Sequence, residues 1–281
     1  MNYTVIKKQK SLPLGKQHRI AVFSDLHFGS NDFNEKTFTK TMDYYYSRCD
    51  SMLFLGDVFD AIVAKDKRSQ PTTSRFADRD AQLNYEVDYA FEMLKPYADK
   101  IDLITMGNHE FSVLKYSSIN LVSWLVNRLN TETGSKIEWA GYNGFIYYKF
   151  NVASRKNVDY KIFFTHGSGG SAPVTKGIID IARVKTDFVF DAFFCGHKHN
   201  KVFVTDRYLT INSNGKLTEN IRVSAQVGNF QNKISEGRNV GFAETHNFPP
   251  SANGGALLTL ETLLNGNDYY ISPELSLKEF K

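Results

Sequence analysis

Five short segments of this sequence place metal-binding side chains directly after an apolar run. They are Phe23-Ser24-Asp25-Leu26-His27, Leu55-Gly56-Asp57-Val58-Phe59-Asp60, Met106-Gly107-Asn108-His109-Glu110, Phe164-Thr165-His166-Gly167 and Cys195-Gly196-His197-Lys198-His199. Of the seven histidines, only His18 and His246 fall outside these segments. Carboxylate, carboxamide and imidazole together suit manganese, iron, zinc, nickel or cobalt better than a thiolate-seeking ion. Asp25 and His27 are two residues apart, as are His197 and His199. In an extended segment, side chains at that spacing share a face and can reach one ion. The glycines before Asp57, Asn108 and His197 permit tight turns. The donors outnumber what one ion needs, and two ions sharing a bridging carboxylate fit better.

Such donors converge only if the elements before them lie side by side. Arg19–Ser24, Ser51–Leu55 and Ile101–Met106 read as buried strands. Glu35–Arg48, with Asn34 as N-cap, Ala81–Leu94 and Leu121–Leu129 read as helices between or after them. This alternation predicts an α/β fold with a largely parallel sheet, in which ligands bind beyond the carboxyl ends of the strands. The second half is richer in strand. Phe145–Phe150, Tyr160–Thr165, Phe188–Cys195, Lys201–Thr205, Ile221–Gln226 and Ala256–Leu260 have strand character, and only Gly177–Val184 among them reads as helical. A second sheet packed on the first, with helices outside, is expected. The sequence after about residue 265 is weakly patterned.

Composition narrows the class. The chain has 281 residues, 42% hydrophobic and 14% aromatic, which excludes a disordered or fibrous chain. Two cysteines, Cys49 and Cys195, can build neither a disulfide framework nor a four-cysteine zinc site. The apolar runs are far shorter than the ~18 residues of a membrane span, and no secretory signal follows the first lysines. A cytoplasmic protein without a membrane partner is the expectation. A net charge of +4 is small for a dedicated nucleic-acid binder but compatible with a phosphorylated substrate. A single domain over residues 1–281 is expected, with a charged loop insertion at about 61–80 and a β-rich part from about 200.

Asp-x-His, Gly-Asp-x-x-Asp, Gly-Asn-His-Glu, a lone His-Gly and Gly-His-x-His, in this order across residues 20 to 199, resemble the calcineurin-like metallophosphoesterase superfamily. The resemblance implies a four-layer sandwich of two central mixed β-sheets flanked by α-helices. It implies two divalent metal ions, manganese first among the candidates. Asp25, His27 and His199 would hold one ion, Asn108, His166 and His197 the other, and Asp57 would bridge them. His109 would donate a proton to the leaving group, with Asp60 orienting its ring. The implied activity is hydrolysis of phosphoesters by a water that the ions activate.

Departures from the family pattern bear on the substrate. The protein-phosphatase branch carries Arg-Gly after the second aspartate of the Gly-Asp block, where this chain has Ala61 and Ile62. A monoester dianion gains most from such an arginine, so its loss favours a phosphodiester, in nucleic acid or a nucleotide. Phosphomonoesters, pyrophosphates and a non-catalytic scaffold are the alternatives. The basic residues Lys65, Lys67, Arg68, Arg75 and Arg79 could guide a polyanion, although Asp66, Asp78 and Asp80 interleave with them as in a solvated loop. Glu110 is read as structural and Cys195 as a buried filler. His166-Gly167-Ser168-Gly169-Gly170 approaches a nucleophile elbow but lacks its first glycine.

Overall fold

A computed structural model of the chain describes residues 3–62, 74–76, 80–170, 175–211, 215–232 and 253–280. Most of the charged 61–80 insertion therefore lies outside the described residues, as does His246. In chain order the strands are β1 (Thr4–Ser11), β2 (Gln17–Phe23), β3 (Ser51–Leu55), β4 (Ile101–Thr105), β5 (Glu138–Ala140), β6 (Asn143–Ala153), β7 (Lys156–Thr165), β8 (Ala192–Cys195), β9 (Val202–Ile211), β10 (Leu217–Gln226), β11 (Ala256–Asn265) and β12 (Asp268–Leu277). The helices are α1 (Glu35–Tyr46), α2 (Gln82–Leu94), α3 (Asn108–Ser117), α4 (Leu121–Thr133) and α5 (Ile178–Asp187).

The strands form two six-stranded mixed sheets, ordered β1-β6-β7-β8-β10-β9 and β12-β11-β2-β3-β4-β5. Within the second sheet β2, β3, β4 and β5 run parallel; within the first, β7, β8 and β10 do. Strand alternation explains the layering. Ile20 and Val22 of β2 join Leu53, Leu103, Ile146, Ile162, Phe194 and Leu258 in the core between the sheets. Ala21 and Phe23 face the opposite way, into a core built with Phe38, Met42, Val87, Phe91 and Leu125 of the helices. Phe163 and Phe193 pack outward with Ile181 of α5 and with Cys195. Central parallel strands are buried on both faces, which is why they read as continuous apolar runs. The expected four-layer α/β sandwich is the observed fold.

Three strands absent from the sequence reading, β1, β5 and β12, are all sheet edges. An edge strand has one open side and tolerates charge and proline, so β1 carries Lys7, Lys8 and Lys10 and β12 carries Pro273. Asn34 caps α1 as expected, its Oδ1 accepting from Thr37 N at 3.0 Å. The α4 helix runs four residues past Leu129, to Thr133, and Gly134, at φ 72°, terminates it. The strand expected from Phe188 begins only at Ala192, because Phe188 closes α5. No helix among the described residues is long and apolar enough to cross a membrane.

Candidate metal centre

Every donor segment leaves the carboxyl end of a strand. Asp25 and His27 follow β2, Asp57 and Asp60 follow β3, and Asn108 and His109 follow β4; these strands are neighbours in one sheet. His166 follows β7, and His197 and His199 follow β8, neighbours in the other. The two sheets thus deliver their donors to one end of the sandwich. Asp25, His27, Asp57 and His166 are buried, Asp25 and His166 fully so.

The donors separate into two groups around Asp57. Asp25, His27 and His199 form one cluster whose ligand atoms lie within 4.8 Å of one another, and Asp57, His166 and His197 form the other. In the first, His199 Nε2 is 3.2 Å from Asp25 Oδ1 and 3.3 Å from His27 Nε2. In the second, His166 Nε2 is 3.1 Å from Asp57 Oδ2, and Asn108 Oδ1 lies 3.1 Å from His166 Nε2 and 2.8 Å from His197 Nδ1. Asp57 Oδ2 is also 3.9 Å from His27 Nε2, so this carboxylate stands between the clusters. His109 Nε2 is 3.9 Å from the same oxygen, which brings His109 into a third grouping with His27 and Asp57.

The local backbone departs from the extended geometry expected of the two-apart pairs. Asp25, His27, Asp57, His197 and His199 all have positive φ, between 47° and 70°. Left-handed backbone at a non-glycine residue costs of order 1–3 kcal/mol and persists only where surroundings hold it. Here the surroundings are identifiable. His197 N donates to both carboxylate oxygens of Asp25, at 2.8 and 3.1 Å, and His109 N donates to Asp57 Oδ1 at 3.0 Å. Gly56, at φ 81°, lets the β3 turn pass against β4's: a Cβ there would lie 2.6 Å from Gly107 N and 2.8 Å from His166 Nδ1.

Charge in the cluster follows from packing. Burial would raise Asp25, but the hydrogen bond and charge of His199 hold it at about 2. Burial likewise opposes ionisation of Asp57, and His166 and His109 keep it well below the usual carboxylate range. Burial pushes His27 down to about 4, leaving a neutral imidazole with a free lone pair. Burial also works against charge on His166, but the adjacent Asp57 outweighs it and lifts this ring to about 10. His166 Nδ1 lies 2.8 Å from Leu55 O, so that nitrogen donates and Nε2 is the one aimed at Asp57. Two ionised buried carboxylates, a neutral His27 and a His166 proton that a cation can displace make a donor set that fits divalent metal.

Two residues behave differently from the expectation. His109 Nδ1 donates to the backbone carbonyl of Asp60 rather than to its carboxylate. The carboxylate Oδ1 lies 3.9 Å from His109 Nδ1 and 3.4 Å from His27 Nδ1, without a formed hydrogen bond at the latter nitrogen. The Asp60 main chain thus meets the His109 ring, and its carboxylate faces both rings. Arg75 turns inward: its guanidinium donates to Ser30 O at 2.9 Å and Phe33 O at 2.8 Å, so this cation braces a loop. Lys65, Lys67, Arg68 and Arg79 lie outside the described residues.

Glu110 is structural, as expected, and Tyr142 and Asn229 add support that the sequence reading did not name. Glu110 accepts from Asp57 N at 3.1 Å, Phe59 N at 2.9 Å and Gly107 N at 2.7 Å, tying the β3 and β4 turns to the start of α3. Glu110→Ala leaves these three buried donors unpaired and is expected to cost about 3 kcal/mol or more, read as a lower urea midpoint. Tyr142 O accepts from His166 N at 3.0 Å, and its ring stands edge-on to His166. Asn229 Nδ2 donates to His199 O at 3.2 Å. Its signal was present, since Gln226-Val227-Gly228-Asn229 is another polar exit from an apolar strand.

Glu86 of α2 accepts from Ala61 N at 2.8 Å and from Gln82 Nε2 at 2.8 Å. Gly29, at φ 96°, packs onto it, so that a Cβ there would lie 2.7 Å from the Glu86 carboxyl carbon. Burial, aided by the charges of Asp60 and Glu110, pushes Glu86 from 4.5 to about 8. Between those values the folded chain keeps a proton that the unfolded chain loses. Stability therefore falls as pH rises through this window, by up to ~1.4 kcal/mol per unit. Glu86→Gln is expected to remove that slope, so urea melts should show the variant gaining on the wild type from pH 5 to pH 8. An equal difference at both pH values would mean Glu86 is already ionised.

These motifs and this fold define a recognisable class. A family model for calcineurin-like phosphoesterases matches residues 18–201, and the chain belongs to that family. A search of curated proteins finds no match. Among solved structures, similar folds include a metallophosphoesterase from Sphaerobacter thermophilus (14% identity, 86% of this chain and 83% of that one, TM-score 0.35). Others are GAP50, the anchor in the inner membrane complex of Plasmodium (12%, 87% and 81%, TM-score 0.43), and Vacuolar Protein Sorting 29 from Cryptosporidium parvum (14%, 93% and 99%, TM-score 0.33). Likeness at this level says nothing of what the chain acts on.

Proposed function

We propose that the chain is a dinuclear metal-dependent phosphodiesterase acting on nucleic acid or nucleotides. One observation carries this reading: the donors fall into two clusters with Asp57 between them, the arrangement two ions would need. Asp25, His27 and His199 would hold the first ion, Asn108, His166 and His197 the second, and Asp57 both. Two divalent ions held this way polarise phosphoryl oxygens and make water acidic near neutral pH. Manganese is the first candidate, with iron, zinc, nickel and cobalt as alternatives.

The protein's own groups supply the rest. His109 keeps Nδ1 on the Asp60 carbonyl, so Nε2 is the nitrogen directed at the cluster. When protonated, it can pass that proton to the leaving oxygen, and the Asp60 carboxylate at 3.9 Å favours the cationic ring. Ala61 and Ile62, which follow Asp60, are buried and apolar, so no guanidinium stands there to clamp a monoester dianion. That absence supports a diester.

A metal-by-substrate panel tests the reading. Chelator-stripped protein reloaded with manganese, nickel or zinc should bind about two ions per chain, the complement typical of paired-ion sites. It should turn over bis-p-nitrophenyl phosphate faster than p-nitrophenyl phosphate, and the panel extends to cyclic nucleotides and single-stranded DNA and RNA. Faster monoester turnover would favour a phosphomonoesterase. No bound metal and no metal-dependent turnover would leave a non-catalytic scaffold.

A further inference from the structure

The α3 helix begins inside the metal centre, and its exposed side leads away from it. His109, Glu110 and Val113 face the core. Phe111 is 51% exposed and Tyr116 76% exposed, while Lys115 is exposed and Ser112 half-buried. At 100° per residue, Phe111, Ser112 and Lys115 follow Asn108 at i+3, i+4 and i+7. Tyr116 follows His109 at i+7. Helical side chains lean toward the N-terminus, so the Tyr116 ring is directed back toward the His109 end. Lys115 Nζ stands 5.0 Å from the centre of that ring, so cation and ring form one unit. A strip of hydroxyl, cation and ring (Ser112, Lys115 and Tyr116) thus starts at a proposed ligand and a proposed proton donor, with Phe111 on the other flank of the helix, about 140° from Tyr116. The strip runs ~10 Å along the axis at 1.5 Å per residue.

We infer that this strip binds the leaving portion of a single-stranded nucleic-acid substrate, with Tyr116 stacking on a base and Lys115 meeting a neighbouring phosphate. The inference rests on the phosphodiesterase reading, in which His109 protonates the leaving oxygen. Whatever that oxygen carries must emerge beside His109, and α3 is the surface that begins there. A ring offered to solvent accepts any base face, and a lysine beside it matches the phosphate that each further nucleotide adds. The Lys198 cation, by contrast, is already taken by Asp180.

The test compares a short single-stranded oligonucleotide with bis-p-nitrophenyl phosphate on manganese-loaded wild type, Tyr116→Ala, Tyr116→Phe and Lys115→Ala. Tyr116→Ala should raise KM for the oligonucleotide roughly ten-fold more than KM for the small diester, and Tyr116→Phe should restore most of it. Lys115→Ala should flatten the salt dependence of oligonucleotide binding, measured by fluorescence anisotropy, by about 0.7 in log–log slope. Equal losses on both substrates, or an unchanged oligonucleotide KM and salt slope, would overturn the inference. So would wild-type protein that cleaves the small diester but not the oligonucleotide. Wild type that cleaves neither diester overturns the phosphodiesterase reading itself, an outcome visible before any variant is made.

Discussion

Asp57→Asn should empty the metal centre. The substitution preserves volume and an oxygen but removes the one charge that stands between both clusters. Asp57 Oδ2 lies 3.1 Å from His166 Nε2 and 3.9 Å from His27 Nε2 and His109 Nε2. A carboxamide oxygen attracts a divalent ion far less than a carboxylate, and an NH₂ group turned to the cluster repels it. Elemental analysis should therefore find fewer than two ions per chain. Loss of kcat/KM should exceed the ~10–100-fold typical of outer-shell ligand-orienting residues. A second readout does not depend on activity. His166 is lifted to about 10 chiefly by Asp57 against its own burial, so the metal-free variant should titrate this ring far lower, as followed by its NMR shifts. Wild-type metal content together with wild-type turnover would remove Asp57 from the bridging role.

His109→Ala should separate chemistry from metal binding. If His109 donates the proton, the variant keeps both ions yet loses ~10²–10⁴-fold in kcat on substrates with poor leaving groups. The loss should be much smaller with bis-p-nitrophenyl phosphate, because p-nitrophenolate departs without a proton. The descending, high-pH limb of the rate profile should disappear with the ring. The grouping of His109 with His27 and Asp57 makes the metal measurement decisive. A fall in metal content would make His109 a ligand, and full activity on an oligonucleotide would deny it the donor role.

The centre of the fold was more readable than its margins. The strand Ser51–Leu55 was read to the residue, and the helices α1, α2 and α4 were located. Buried parallel strands and amphipathic helices write their burial into local periodicity. The edges β1, β5 and β12 obey weaker local constraints and went unseen. The α3 helix was missed for another reason: its first turn is spent on Asn108, His109 and Glu110, residues chosen by the site rather than by helix pattern.

The same division holds at the site. The donor types, their order and their position after apolar runs belong to the sequence, because strand-end spacing is local. That the ends of β2, β3 and β4 meet those of β7 and β8 is a property of two packed sheets. So are the five left-handed ligand backbones, which local propensity disfavours and long-range hydrogen bonds hold. The two roles of Asp60, the grip of Glu110 on Asp57 N and Phe59 N, and the contact of Glu86 with Ala61 N likewise join groups 25 to 53 residues apart. Sequence specifies which groups are available for chemistry. Only tertiary contact decides their distance, their desolvation and therefore their charge.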